Sequence, residues 1–572
     1  MQNCSPSYRS LFWIGSIALA FLAGALSLTD RALAQPAAAP WPQQPVIAQH
    51  GMVVSESADG SRAGVEILKT GGNAIDAGVA TALAVCVTNA SSCGIGGGGF
   101  MLVYLARQHR FYALDYRETA PLKASPTMYM QGGKANEKLA QDGALAVGVP
   151  GEIAGLATIL KRFGTMKFQA VAAPAAKLAN GGFIVSPHLA SEIAREANAM
   201  KADPELAAIF LNPDGSPHRA GDTVYEKDLA ATLRSLGDDP VPKFYRGDIA
   251  DAIASFVSSH GGILSAQDFA NFRPRWQDPI HHEFQGYDVY TMPPPSSGGV
   301  LLEMLAALEP GDIGGLGVDS PPYLARLIEV MRQGFIDRES YADPDFVKVP
   351  VFDYLSPMHI QQLRDRALHP KSPAQPVPAA HDHGTSNMMI VDKDLNVVVI
   401  TTTINTAFGA KVAVPKLGII LNDEMDDFSV APGVPNAYHL MGATANDIRP
   451  GKQPLSSMTP IIVLKKNAPY MTSGGSGGPT ILTGVLQVAL NILSSHMDPA
   501  SAVNEPRIHE QAAPDVVIVE QAMPEATRNS LAQMGYKLRV VPMLGAVGAM
   551  TIEPGNLRGA FDPRKGGGAE GY

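Results

Sequence analysis

A chain of 572 residues, 46% of them apolar, has ample material for a large core and by length alone could form two or more domains. Its formal charge is −10, from 54 acidic against 44 basic residues, and it carries no basic tract, which argues against binding a nucleic-acid backbone. Neither a C-x-x-C pair nor an H-E-x-x-H motif occurs, so a metal site has no support in the sequence.

The chain opens like an export signal. Arg9 is a positive n-region, Leu11 to Leu28 is an apolar run, and Ala32-Leu33-Ala34 is a small-residue cleavage site. Residues 1–34 are therefore expected to be removed, with Gln35 starting an exported, periplasmic or secreted protein. An uncleaved anchor is the competing reading, but the run is near the lower limit for spanning a membrane, and no stable anchor is expected. Cys86 and Cys93 would remain after processing. They are read either as one disulfide or as small buried hydrophobes.

A Pro- and Ala-rich stretch follows, and then patterned chain. Asp59 to Thr70 reads as an amphipathic helix with Ala63, Ile67 and Leu68 on one side, ended by Gly71 and Gly72. Asn73 is placed to cap a second helix, Ala74 to Val87, which is apolar all round and so expected to be fully buried. The glycine-rich turn Gly94–Gly99 precedes a strand, Phe100 to Leu105, so it does not fit a nucleotide-binding loop, which opens a helix. A second strand, Phe111 to Tyr116, delivers Arg117 at its end. Residues 150 to 370 read as mostly helical, and 366 to 384 as loop, closing on His381-Asp382-His383-Gly384. That histidine pair offers metal ligands, but an exposed polar loop is the plainer reading.

Strand patterning begins abruptly after Thr385. Asn387 to Val391 and Val397 to Thr403 flank a polar turn, a β-hairpin signal. Further β-rich segments are Leu417 to Leu421 and Thr459 to Leu464. Side chains alternate along a strand, so Thr401, Thr403 and Asn405 are expected to share a face turned toward Thr385. If the bond between Gly384 and Thr385 were cut, Thr385 would carry a free α-amine, reference pKa about 7.7 to 8.0, beside its hydroxyl, and so be nucleophile and base in one residue. Glu424 and Asp427 lie in a carboxylate cluster that suits an ammonium or is an ordinary solvated turn, Ser456 and Ser457 are paired hydroxyls suited to a carboxylate, and Gly474 to Gly478 offers bare N–H groups that suit an oxyanion or is a mere turn.

Further segments complete a pattern: Gly71-Gly72-Asn73-Ala74-Ile75-Asp76-Ala77, Asp115-Tyr116-Arg117-Glu118-Thr119-Ala120-Pro121, Pro294-Pro295-Ser296-Ser297-Gly298-Gly299, Asn405-Thr406-Ala407-Phe408-Gly409, Met425-Asp426-Asp427-Phe428-Ser429 and Asn504-Glu505-Pro506-Arg507. Together they resemble the γ-glutamyltransferase family of N-terminal-nucleophile hydrolases over nearly the whole mature chain. The resemblance implies an α+β fold, a four-layer αββα sandwich built from two self-cleaved subunits, 35–384 and 385–572, that stay together as a heterodimer. It implies Thr385 as nucleophile, Thr403 as its hydrogen-bonding support, and Gly477 and Gly478 as oxyanion hole. Arg117, Ser456 and Ser457 would bind the substrate α-carboxylate, and Asn405, Glu424 and Asp427 its ammonium. Tyr438 falls in a segment, Pro432 to Met441, that resembles a lid. The implied donor is glutathione or another γ-glutamyl compound, the acceptor an amino acid, short peptide or water, and no cofactor or metal is implied.

The sequence departs from the family at Asn387, where histidine is common, and at Ser476, where proline is usual and whose loss is expected to loosen the oxyanion loop. Two other readings compete. One is a relative acting on glutaryl-type or poly-γ-glutamyl substrates. The other is a serine hydrolase using Ser476 in Gly474-Gly475-Ser476-Gly477-Gly478, a G-x-S-x-G match, with His509 and Asp498 or Asp515.

Overall fold

The computed structural model describes residues 44–309, 313–368 and 384–572. The signal segment, nearly all of the Pro- and Ala-rich stretch and His381-Asp382-His383 lie outside the described residues.

Two seven-stranded antiparallel sheets carry the architecture. One runs Gly568–Gly571, Met52–Ser55, Ser386–Val391, Val397–Thr403, Gly98–Leu105, Arg110–Asp115, Arg275–Gln277. The other runs Val46–Ala48, Asn556–Ala560, Ala546–Glu553, Ala468–Ser476, Ile461–Lys465, Tyr287–Thr291, Ile280–Phe284. The expected hairpin forms, with Val391 opposite Val397 and Ser386 opposite Thr402. Its two faces enter different cores. Met388, Ile390, Val398 and Ile400 pack with the first helices of the chain. Met389, Val391, Val397 and Val399 pack with Ile461, Ile462 and Val463 of the other sheet. A strand covered on both faces needs no polar alternation, and Val397 to Ile400 has none.

Helix Ala58–Lys69 is capped by Ser57, and its neighbour Ala74–Thr88 is buried at every position. A capping box starts that second helix, Asn73 accepting from Asp76 N–H while the Asp76 carboxylate accepts from Asn73 N–H. The middle of the chain is largely helical as read, yet it also supplies three strands to the two large sheets, Arg275–Gln277, Ile280–Phe284 and Tyr287–Thr291. Three expectations change. Helix Pro357–Leu368 continues through residues assigned to loop. The segment at Leu417 to Leu421 shrinks to the strand Ile419–Ile420. Gly474, Gly475 and Ser476 are the end of strand Ala468–Ser476, not a turn. Cys86 and Cys93 are both buried, as free thiols.

Glu226 is buried, and neither carboxyl oxygen has a hydrogen-bond partner. Burial alone pushes its pKa from 4.5 to about 8. The native state thus keeps a proton that the unfolded chain releases, and stability is lost as pH rises from about 4.5 towards 8, at about 1.4 kcal/mol per pH unit. Glu226→Gln should remove this contribution to the pH dependence and leave those of the other buried acids, such as Glu152 at about 8. In urea titrations at pH 5 and pH 8 the variant should gain on the native protein at the higher pH, and equal slopes would refute this.

Candidate active site

Strand pairing brings Thr385 to Thr403. Their hydroxyls are 3.3 Å apart, and both donate to the Gly384 carbonyl oxygen at 2.8 Å. Thr403 Oγ1 also accepts from Asn405 N–H at 2.8 Å. The shared face extends to Thr401, whose hydroxyl accepts from Asn387 Nδ2 at 2.9 Å. Asn405 has φ 75°, a left-handed turn that ends the strand and sends its Nδ2 to Asp423 O at 3.1 Å. Thr385, Thr403 and Asn405 are all buried.

Arg117 leaves the end of strand Arg110–Asp115 and is completely buried. Its backbone N–H is fixed by Asp115 Oδ1 at 2.9 Å. Its guanidinium contacts Glu424 Oε1 at 2.6 Å and Asp427 Oδ2 at 2.5 Å, and donates to the carbonyls of Pro454 at 2.7 Å and Leu455 at 3.1 Å. These contacts raise the arginine pKa despite burial. Burial pushes the Glu424 carboxyl up to about 8 against the pull of Arg117, and Asp427 rises for the same reason. The two acids read as an ammonium site are therefore already paired with the arginine read as a carboxylate site.

Arg117, Thr385, Thr403, Asn405, Glu424, Asp427, Tyr438, Ser456, Ser457 and Gly478 line one small cavity of about 20 Å³. Tyr438 covers it: its hydroxyl donates to Asn405 O at 2.9 Å, and its ring lies where a β-carbon on Gly478 would sit, 2.5 Å from the nearest ring atoms. Gly477 adjoins the wall and accepts from Thr480 Oγ1 at 2.7 Å, at the start of helix Thr480–Leu493. The tight spot at Gly474 has a different cause. A side chain there would meet Asn387 Nδ2 at 2.1 Å, so this glycine makes room for the asparagine.

Arg338 is the residue that sequence reasoning missed. It ends helix Pro321–Arg338, is buried, and donates to Ser297 Oγ at 2.9 Å and Ser457 Oγ at 3.0 Å. Burial lowers it to about 10, with Asp427 opposing the drop. The available signal was an arginine closing a helix rich in buried apolar residues. The serine-hydrolase alternative does not assemble. Ser476 Oγ is buried without a partner, His509 bonds Thr483 and Gln511, Asp498 caps a helix, and Asp515 pairs with Arg332. Ser476 itself stays in sheet register opposite Ala546.

A family model described as Gamma-glutamyltranspeptidase matches residues 60–572. The chain belongs to the γ-glutamyltranspeptidase family. It is 37% identical over 530 residues to the glutathione hydrolase proenzyme of Escherichia coli (strain K12), covering 91% of each chain. It is 38% identical over 552 residues to the glutathione hydrolase proenzyme of Pseudomonas sp. (strain A14), covering 93% of this chain and 96% of that one. Among solved structures it resembles cephalosporin acylase from Bacillus halodurans, with TM-score 0.84, 28% identity and coverage of 94% and 99%. It also resembles Helicobacter pylori gamma-glutamyltranspeptidase, with TM-score 0.53, 34% identity and coverage of 56% and 91%. The mixed α/β fold is that of these family members. Among the described residues no helix is long and apolar enough to cross a membrane.

Removing Arg117 strands two buried carboxylates. Arg117→Met should cost about 3–5 kcal/mol. Both acids then lose their main stabilising charge and rise further above their unfolded values, so the loss should be larger at pH 8 than at pH 5. Chemical denaturation at the two pH values checks this, and an equal loss at both would contradict it.

Proposed function

We propose that this protein is a self-processing γ-glutamyltransferase and glutathione hydrolase whose chain is cut before Thr385. The observation that carries the reading is the Gly384 carbonyl held by the Thr385 and Thr403 hydroxyls together. In processing, Thr385 Oγ1 attacks the Gly384 carbonyl carbon, and Thr403 Oγ1 donates to the oxygen as negative charge develops there. The C–N bond breaks, the Thr385 nitrogen takes the hydroxyl proton, and an ester joins Gly384 to the threonine oxygen. Water then releases the Gly384 carboxylate and leaves Thr385 with a free amine.

That amine is the base for turnover. A γ-glutamyl donor brings a carboxylate and an ammonium on one carbon, and the ion pair in the cavity can exchange partners with it. The donor carboxylate takes a place beside Arg117, helped by Ser456 and Ser457, while its ammonium takes Asp427, Glu424 and Asn405. Charge is conserved in this exchange, so no unpaired ion is left in a dry site. Holding both charged groups positions the γ-carbonyl at Thr385. Attack gives a γ-glutamyl ester on Thr385 and releases the donor's amine. The N–H groups of Gly477 and Gly478 serve the oxyanion, Tyr438 closes the cavity as a lid, and water or an acceptor amine ends the cycle. Hydrolysis and transpeptidation share every step but the last.

The same reading takes residues 1–34 as a removed export signal, 35–384 and 385–572 as the two subunits of a heterodimer, and the sheets with their outer helices as a four-layer αββα sandwich. The hairpin's two cores, one shared with helices and one with the second sheet, support that layering. The likeness to a cephalosporin acylase keeps an acylase reading in second place. Glutaryl groups lack the ammonium that Asp427 and Glu424 are suited to hold, so a γ-glutamyl anilide should be turned over faster than its glutaryl counterpart.

Thr385→Ala should remain a single uncut chain, and Thr403→Val should process about 10²–10³-fold more slowly. Ser476→Ala should process normally. Intact mass and N-terminal sequencing follow all three, and a fragment beginning elsewhere than at Thr385 would overturn the proposal.

A further inference from the structure

Away from the cavity, three helices bring Glu303, Asp337 and His359 together. Glu303 lies on the wholly buried helix Gly298–Leu308, Asp337 in the last turn of Pro321–Arg338, and His359 in the first turn of Pro357–Leu368. His359 Nε2 is 3.0 Å from Asp337 Oδ2 and 3.3 Å from Glu303 Oε1, and one ligand atom from each residue falls within 4.8 Å of the others. The two carboxyl groups also contact each other. Two acids sharing a single imidazole nitrogen is a costly arrangement in a buried place, since one cationic ring cannot offset both. Among the described residues neither acid is paired with a lysine or arginine.

Two buried groups at this spot lack partners. Glu303 Oε2 receives no hydrogen bond although its side chain is fully buried, and the buried Tyr341 hydroxyl, within electrostatic reach of Glu303 and Asp337, has none either. No short motif marks this cluster, because its members come from three helices and not from one local spacing.

We propose that Glu303, Asp337 and His359 form a structural site for a divalent cation of the zinc class, with water as fourth ligand. The dimensions match. Zinc bonds nitrogen and oxygen at about 2.0–2.1 Å, which sets the ligand-to-ligand edge of a tetrahedron at about 3.3 Å. A mixed nitrogen and oxygen set suits zinc better than calcium, which takes six or more oxygens. Two carboxylates, one neutral imidazole and a divalent ion sum to zero charge. Asp337 and His359 keep side-chain exposures of 12% and 18%, leaving a way for the ion and its water to enter. Gln333 Nε2, 3.3 Å from both Asp337 oxygens, steadies that carboxylate. The ion would staple the three helices and fix the helix end where Arg338 reaches Ser457.

The test uses full-length protein made without a metal-affinity tag, stripped with chelator and desalted. Titration with Zn²⁺ should reach one tight equivalent by calorimetry and elemental analysis, and the melting temperature should rise with zinc concentration. Glu303→Gln and His359→Gln should each lose both the equivalent and the shift. No bound zinc in the folded native protein, an unchanged equivalent in the variants, or the same melting shift from Ca²⁺ would overturn the proposal. Should the variants fail to fold, Co²⁺ loaded into the native protein decides: the intense visible bands of four-coordinate cobalt support the site, and the weak spectrum of octahedral cobalt contradicts it.

Discussion

One buried guanidinium organises the candidate site. Arg117 ties together the end of a sheet strand, the acidic turn at Glu424 to Asp427 and the loop that presents Ser456 and Ser457. A planar group with five donors can hold that many partners at once, which a lysine cannot. The site is therefore built around an internal ion pair of the type a zwitterionic ligand can replace group by group. Arg117 and Thr385 line the same cavity.

The second constraint is sheet pairing. Thr385 immediately precedes a strand locked between Met52–Ser55 and Val397–Thr403, with both faces covered. A backbone held that firmly fixes the Gly384 carbonyl against two hydroxyls without any special loop geometry. Gly384 itself has little room, because a side chain there would meet Ser91 O at 2.6 Å. A precise approach of hydroxyl to carbonyl is what proximity-driven chemistry requires.

Much of this was legible in the sequence because it rests on period-two alternation and local chemistry. The hairpin, the shared face of Thr401 and Thr403, the fully buried helix after Asn73 and the delivery of Arg117 by a strand all follow from such patterns. What failed to show was set by contacts distant in sequence. A run of glycine and serine at Gly474 to Ser476 reads as a turn, but the chain is strand there, and the room Gly474 leaves for Asn387 could not be seen locally. Arg338 and the Glu303, Asp337 and His359 cluster depend on helix packing, which no single-segment pattern encodes. The pairing of Arg117 with the very acids assigned to an ammonium was hidden for the same reason.

The central claim is that Thr385 Oγ1 carries the γ-glutamyl group during turnover. The most direct measurement is acid quenching of the processed protein during steady turnover of a γ-glutamyl donor, followed by peptide mass mapping. The account predicts a mass increment of one γ-glutamyl group on the peptide whose first residue is Thr385, absent when donor is omitted. An increment on another residue such as Ser476, or rapid turnover in an uncut chain, would contradict it.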